Sequence, residues 1–220
     1  MQSIRHRLLQ SPDKARWLTA SLVGLLVAYP FFPTRQVFVS LLITLVLLSN
    51  LYTDAERKRG WWLELSVGLV AILTTWLALA FPNHFAVVLA SHLSDVAYIG
   101  ISLVLLVDHL FRSQSISRNL LYSALNGYLL CGLLGATTAA TLDLLDPHSF
   151  RFPPESVGYG FARFLYYSYV TLTTLGYGDI TPVKPHAKTL TILLSVFGQV
   201  YLTFLVSMLM GKYLNDKSTT

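Results

Sequence analysis

Charge is what this chain lacks. Lys, Arg, Asp and Glu make up 12% of its 220 residues, against about 25% in an ordinary soluble domain. The scarcity excludes a disordered chain, because hydrophobic residues make up 54%. It also excludes a soluble fold, which has too little interior to hide so much apolar surface. Cysteine is nearly absent: Cys131 stands alone, so no intrachain disulfide exists and the redox compartment stays open. No Lys or Arg occurs from Trp61 to Phe111. The mean hydropathy of +0.55 then leaves one class, an all-α membrane protein. The formal net charge of +5 reads as loop charge and not as a nucleic-acid surface.

A spanning helix needs about 20 apolar residues. Six stretches qualify: Trp17 to Phe32, Gln36 to Tyr52, Trp61 to Phe81, Phe85 to Phe111, Asn119 to Leu145, and Ala187 to Leu214. The first is short and is broken by Pro30 and Pro33. A signal peptide is the alternative there, set aside because Pro12, Asp13 and Lys14 interrupt the early region and no A-x-A site follows. With the N-terminus in the cytoplasm, only Arg35, Arg151, Arg163, Lys184 and Lys188 fall outside. The remaining cations fall inside, which places both termini in the cytoplasm of a multi-pass cell-membrane protein. Trp17, Trp61, Trp62 and Trp76 read as interfacial anchors or as plain lipid-facing aromatics. The expected divisions are 1–16 as a cytoplasmic segment and 17–111 as a four-helix unit. A linker (112–118), a pore unit (119–214) and a tail (215–220) follow.

The connection before the last span is unusual. It opens with Asp146, Pro147, His148, Pro153, Pro154 and Glu155, then turns apolar and aromatic from Val157 to Thr173. That run is short and rich in Ser, Thr and Tyr. It reads as a re-entrant half-helix, tolerated only if buried in protein or lining water.

Directly after it comes Thr173-Thr174-Leu175-Gly176-Tyr177-Gly178-Asp179. Glycine tolerates backbone geometry closed to other residues, so this segment can turn successive carbonyls to one side. Four residues make a column of about 13–14 Å. One chain supplies one wall, and four chains supply rings of oxygens able to replace a cation's water shell. Thr174 adds a hydroxyl at the inner end. The half-helix aims the negative end of its dipole inward.

Half-helix, motif and flanking spans together resemble the tetrameric potassium channels, whose filter reads T-V-G-Y-G. The resemblance covers residues 119 to 214, with Leu175 in place of the usual Val. It implies a homotetramer in the lipid bilayer, a two-helix pore unit with a re-entrant pore helix, and passive K⁺ conduction. It implies no catalytic residue, no cofactor, no metal beyond permeant K⁺ and no nucleic-acid partner. The resemblance assigns the filter to Thr174, Leu175, Gly176, Tyr177 and Gly178, with Tyr167, Val170, Thr173 and Asp179 in support. Tyr167 stands where the family often has a Trp that bonds the Asp after the filter, which implies a Tyr167–Asp179 pair. Val170 takes the place of a Glu found behind the filter in some bacterial relatives. Gly198 matches the inner-helix hinge; close helix packing is the other reading. The family's voltage-gated members carry cations along the fourth span. This span has none, which implies a channel without steep voltage dependence.

Other classes remain in view. A weakly selective cation channel or a non-conducting sensor subunit would share the same motif. Gly176 to Asp179 also spells G-x-G-D, which resembles the intramembrane aspartyl proteases, with Asp95 or Asp108 as second carboxylate. Glu64, His92, Asp95, Asp108 and His109 are intramembrane ionisable groups and suspect by default. His92 and Asp95, three apart, share a helix face, but two such ligands do not make a metal site. Thr137, Thr138 and Thr141 read as helix-packing hydroxyls. Ile4, Leu8 and Leu9 among Arg5 and Arg7 read as a surface-lying helix or a basic tail.

Overall fold

A computed structural model describes residues 14–32, 36–54, 61–113, 117–154 and 160–218. The N-terminal Ile4, Leu8 and Leu9 and the cationic stretch 57–59 lie outside them. So does the segment 155–159, which includes the expected start of the half-helix at Val157. Among the described residues seven α-helices follow in order: α1 (Lys14–Ala28), α2 (Gln36–Asp54), α3 (Trp61–Ala80), α4 (Phe85–Arg112), α5 (Arg118–Leu145), α6 (Ala162–Leu172) and α7 (Pro185–Ser218). A 3₁₀ turn, Tyr29–Phe31, ends α1. It forms at Pro30, which has no amide to continue the helical ladder.

Among the described residues, four helices are long and apolar enough to cross a membrane, on α3, α4, α5 and α7. The sequence expectation was six. In α2 the apolar helix runs only Val37–Thr53, and α1 has 15 residues, about 23 Å against a hydrocarbon core of about 30 Å. Helix α1 includes Lys14, ahead of the expected Trp17, and its polar first turn is tied to α5. Asn119 Oδ1 accepts from the Ala15 amide at 3.2 Å, and Asn126 Nδ2 donates to the Ala15 carbonyl at 2.8 Å.

Helix α5 is the hub, packing against α1, α4, α6 and α7. Its small residues, Gly132, Gly135, Ala136, Ala139 and Ala140, are buried, and such residues let helix backbones approach closely. Ser117 caps its start, accepting from the Leu120 amide at 3.1 Å, which satisfies one orphan amide of the first turn. Thr137, Thr138 and Thr141 return their hydroxyls to carbonyls one turn earlier in α5 itself, so they serve their own helix.

Inside the four-helix unit lies a buried polar knot. Glu64 on α3 is 1% exposed. Its Oε1 accepts from Ser102 of α4 at 2.7 Å, and Asn50 of α2 donates to Ser102 at 2.6 Å. Tyr98 closes the knot by donating to the Leu47 carbonyl at 3.0 Å. Ionisable groups at this depth persist when they are hydrogen-bonded.

Two short strands, β1 (Phe150–Arg151) and β2 (Thr181–Pro182), pair antiparallel. They tie the chain before α6 to the chain after the motif. The Val183 amide strengthens the tie by donating to the Ser149 carbonyl at 2.8 Å.

Candidate functional site: the loop between α6 and α7

Helix α6 has 11 residues, about 16 Å, half of what a crossing needs. It starts at Ala162 and packs on both α5 and α7. Ser168 fixes it to α5 by donating to the Gly132 carbonyl at 2.6 Å, and Tyr169 does so by donating to the Leu129 carbonyl at 2.6 Å. Phe150, Phe164 and Tyr167 meet edge to face behind it, an arrangement that suits the ring quadrupoles. Ile180 is buried in the same cluster, so the chain is anchored where it leaves the motif.

The backbone of the motif alternates. Thr174, Gly176 and Gly178 have φ of 60°, 53° and 79°, while Leu175 and Tyr177 between them do not take positive values. In an ordinary strand, side chains and carbonyls point to alternate sides. A change in the sign of φ at every second residue turns alternate peptides over, which lets successive carbonyls face one way. Two of the three left-handed positions are glycine, where that conformation is free of steric penalty. Thr174 takes it at a penalty of about 1–2 kcal/mol, and non-glycine strain of this kind collects at functional sites.

Several bonds hold the start of the motif. The Thr174 amide donates to the Thr171 carbonyl at 2.9 Å. The Leu175 and Gly176 amides both donate to the Val170 carbonyl, at 3.0 and 3.1 Å. Val170 therefore supports the loop through its backbone. Thr173 caps α6 by donating its hydroxyl to the Tyr169 carbonyl at 2.7 Å. From below, Gln199 of α7 reaches the Thr174 hydroxyl at 3.5 Å. Gln199 is a site residue absent from the sequence reading, although a lone amide in the apolar run of α7 was a visible signal.

One expectation is corrected. The Tyr167 hydroxyl does not reach Asp179; it pairs with the Thr191 hydroxyl on α7. The neighbouring tyrosine, Tyr166, lines the same pocket as Asp179. Adjacent helical residues point about 100° apart. Tyr167 is turned to the α7 side and buried, while Tyr166 is exposed toward the motif.

Gly198 sits where α7 passes the end of α6. A Cβ built there would lie 2.0 Å from the Leu172 carbonyl oxygen. The packing reading accounts for this glycine directly.

The carboxylates nominated for a protease dyad are held apart in function. Asp179 shares a pocket with Tyr166, Asp108 pairs with Arg112 at 2.8 Å, and Asp95 lines a separate cavity in the four-helix unit. Among the described residues no group of three His, Cys, Asp or Glu side chains is placed to hold a metal.

The outer face of the loop is bare in the single chain. Leu175 is 56% and Tyr177 67% exposed. The apolar side chains of Ile192, Val196 and Val200 on α7 are exposed as well. No curated protein and no solved structure matches this chain. A family model described as "Ion channel" matches residues 127–214, from within α5 to near the end of α7, and this match supports an all-α membrane protein with an ion-channel domain built from α5, the α6 loop and α7.

Proposed function

We propose that the chain is one of four identical subunits of a potassium-selective channel, with both termini cytoplasmic and the first four helices beside the pore. Residues 174–178 form the filter, and conduction is passive. The observation that carries this reading is the alternating sign of φ from Thr174 to Gly178. An exposed, irregular backbone has no place in lipid. It is accommodated when four copies enclose it and ions replace water on its carbonyls. Closed cyclic symmetry supplies the enclosure. Six crossings follow if α1 and α2 span with their flanking turns, the local bilayer adapting to short helices. In a conducting assembly the end of α6 places the negative end of its dipole toward the pore axis, where it favours a cation.

The test is purified protein in a planar bilayer with a K⁺ gradient facing a Na⁺ gradient. The expected reversal potential lies near the K⁺ equilibrium value. A potential that treats both ions alike would make this a weakly selective pore. Absence of current, from protein shown to be assembled, would leave only the sensor reading.

A further inference from the structure

A cavity of about 380 Å³ lies at the end of the four-helix unit that carries the 3₁₀ turn and the α3–α4 turn. That size falls at the lower end of small-molecule sites, about 300–1,000 Å³. Its walls are mostly aliphatic and aromatic, with Tyr29 and Phe161 among them, and among the described residues no Lys or Arg lines it. Asp95 lines it too and is 6% exposed. Thr75 and Ser91 also line the cavity, yet Asp95 Oδ1 is buried with no hydrogen-bond partner among the described residues. His92, one helical turn earlier on the same face of α4, has its Nδ1 in the same condition. Unmatched polar atoms are rare in native interiors and ask for an explanation. A buried carboxylate without a counter-charge is the most costly kind.

The surroundings select the partner. An inorganic divalent ion would want several oxygen ligands, and here one carboxylate faces scattered hydroxyls. An anion would meet Asp95. A single ammonium on a compact apolar body matches the walls: the charge answers Asp95, and the body fits the aliphatic and aromatic lining. We propose that this cavity binds a small lipophilic primary amine, its ammonium at Asp95 and His92 and its hydrocarbon against Tyr29 and Phe161. Phe161 and Thr137 belong to the α6 approach and to α5. The ligand would therefore touch both the four-helix unit and the segment that seats the half-helix.

The site stands on the cavity alone, and its test needs no current. Calorimetric titration of the purified full-length chain in detergent would use cyclohexylmethylamine, with cyclohexylmethanol and cyclohexanecarboxylate as matched probes. Expected is saturable binding of one amine per chain, at least about tenfold tighter than the alcohol, and no binding of the carboxylate. Asp95→Asn should remove that advantage and leave the alcohol unchanged. Equal binding of amine and alcohol, or no saturable amine binding, would overturn the proposal. So would full amine affinity in Asp95→Asn. If that variant fails to fold, the comparison of the three probes on the unmodified chain still decides.

Discussion

Gly198 faces the carbonyl of Leu172 so closely that a β-carbon would meet the oxygen at 2.0 Å. The contact joins the last residue of α6 to the middle of α7, and the neighbour is backbone, which cannot swing away. Gly198→Ala should therefore push α7 from the half-helix. Overpacking of this kind costs about 1–3 kcal/mol. The measurement is thermal unfolding in detergent, with a lower midpoint expected. A hinge role predicts something else: unchanged stability with altered opening. A Gly198→Ala protein as stable as the parent would show the contact to be unimportant.

Tyr166 and Tyr167 should behave differently when each loses its hydroxyl. Tyr167→Phe breaks the bond to Thr191 on α7, and a lost buried hydrogen bond costs about 0.5–1.5 kcal/mol. Its unfolding midpoint should drop. Tyr166 is exposed in the single chain and shares a pocket with Asp179 beside the motif. Tyr166→Phe should leave the midpoint unchanged and shorten the lifetime of open events, because Asp179 at the outer end of the loop loses a neighbouring hydroxyl. Recording both variants side by side in bilayers and by thermal melt checks the assignment. The reverse pattern would restore the Tyr167–Asp179 pairing.

The difference between those two tyrosines marks where sequence reading stops. The spans of α3, α4, α5 and α7 were legible because long apolar runs in a bilayer leave the backbone no option but helix. The half-helix was legible from its Ser, Thr and Tyr content, and the loop from the spacing of Gly176 and Gly178. Which tyrosine meets Asp179 depends on the rotation of α6 against α5, set by Ser168 and Tyr169, and no local pattern records it. Strands of two residues, such as Phe150–Arg151, are too short to carry an alternation signal. Gly198 was visible, but its meaning lay in Leu172, on another helix. Asn50 carries no local signal of its role, although a buried Glu64 needs a donor from some neighbouring helix.

Gly178 holds φ at 79° in open space, with no atom within 4 Å of an added Cβ. Gly178→Ala is thus a conformational test free of clash within the chain. Alanine pays about 1–2 kcal/mol to stay left-handed, so the backbone should relax and the carbonyl alternation should fail at its outer end. On the proposed reading, the variant keeps its helices and its assembly mass in detergent but loses K⁺ over Na⁺ selectivity. Circular dichroism, native mass and reversal potential measure the three quantities. Selectivity equal to the parent's would separate the glycine from ion discrimination.

Voltage provides the last test. Between Trp61 and Phe111 there is no Lys or Arg, so α4 reaches its end at Arg112 before it carries a fixed cation, and that cation is paired with Asp108. The face of α4 turned toward α2 and α3 carries Tyr98 and Ser102, both engaged with Asn50. Ser102 also bonds Glu64. These are neutral hydroxyls locked in a knot, so sliding α4 along the unit would break hydrogen bonds and carry no Lys or Arg through the field. One charge crossing the membrane is worth about 2.3 kcal/mol per 100 mV, and steep gating takes about 3–4 charges per subunit. Asp95, buried well inside α4, and Asp108, near its end, fall well short of that. Open probability in symmetric KCl, free of blocking ions, is expected to change only gradually between −100 and +100 mV, roughly as less than one charge per subunit would produce. A sigmoid rising from closed to open within a few tens of millivolts would require a charge carrier that α4 does not contain. Placing Arg at Ser102 sharpens the test: Ser102→Arg sets a cation beside Glu64, and a voltage dependence that appears only in this variant would identify the missing charge as the reason the parent has none.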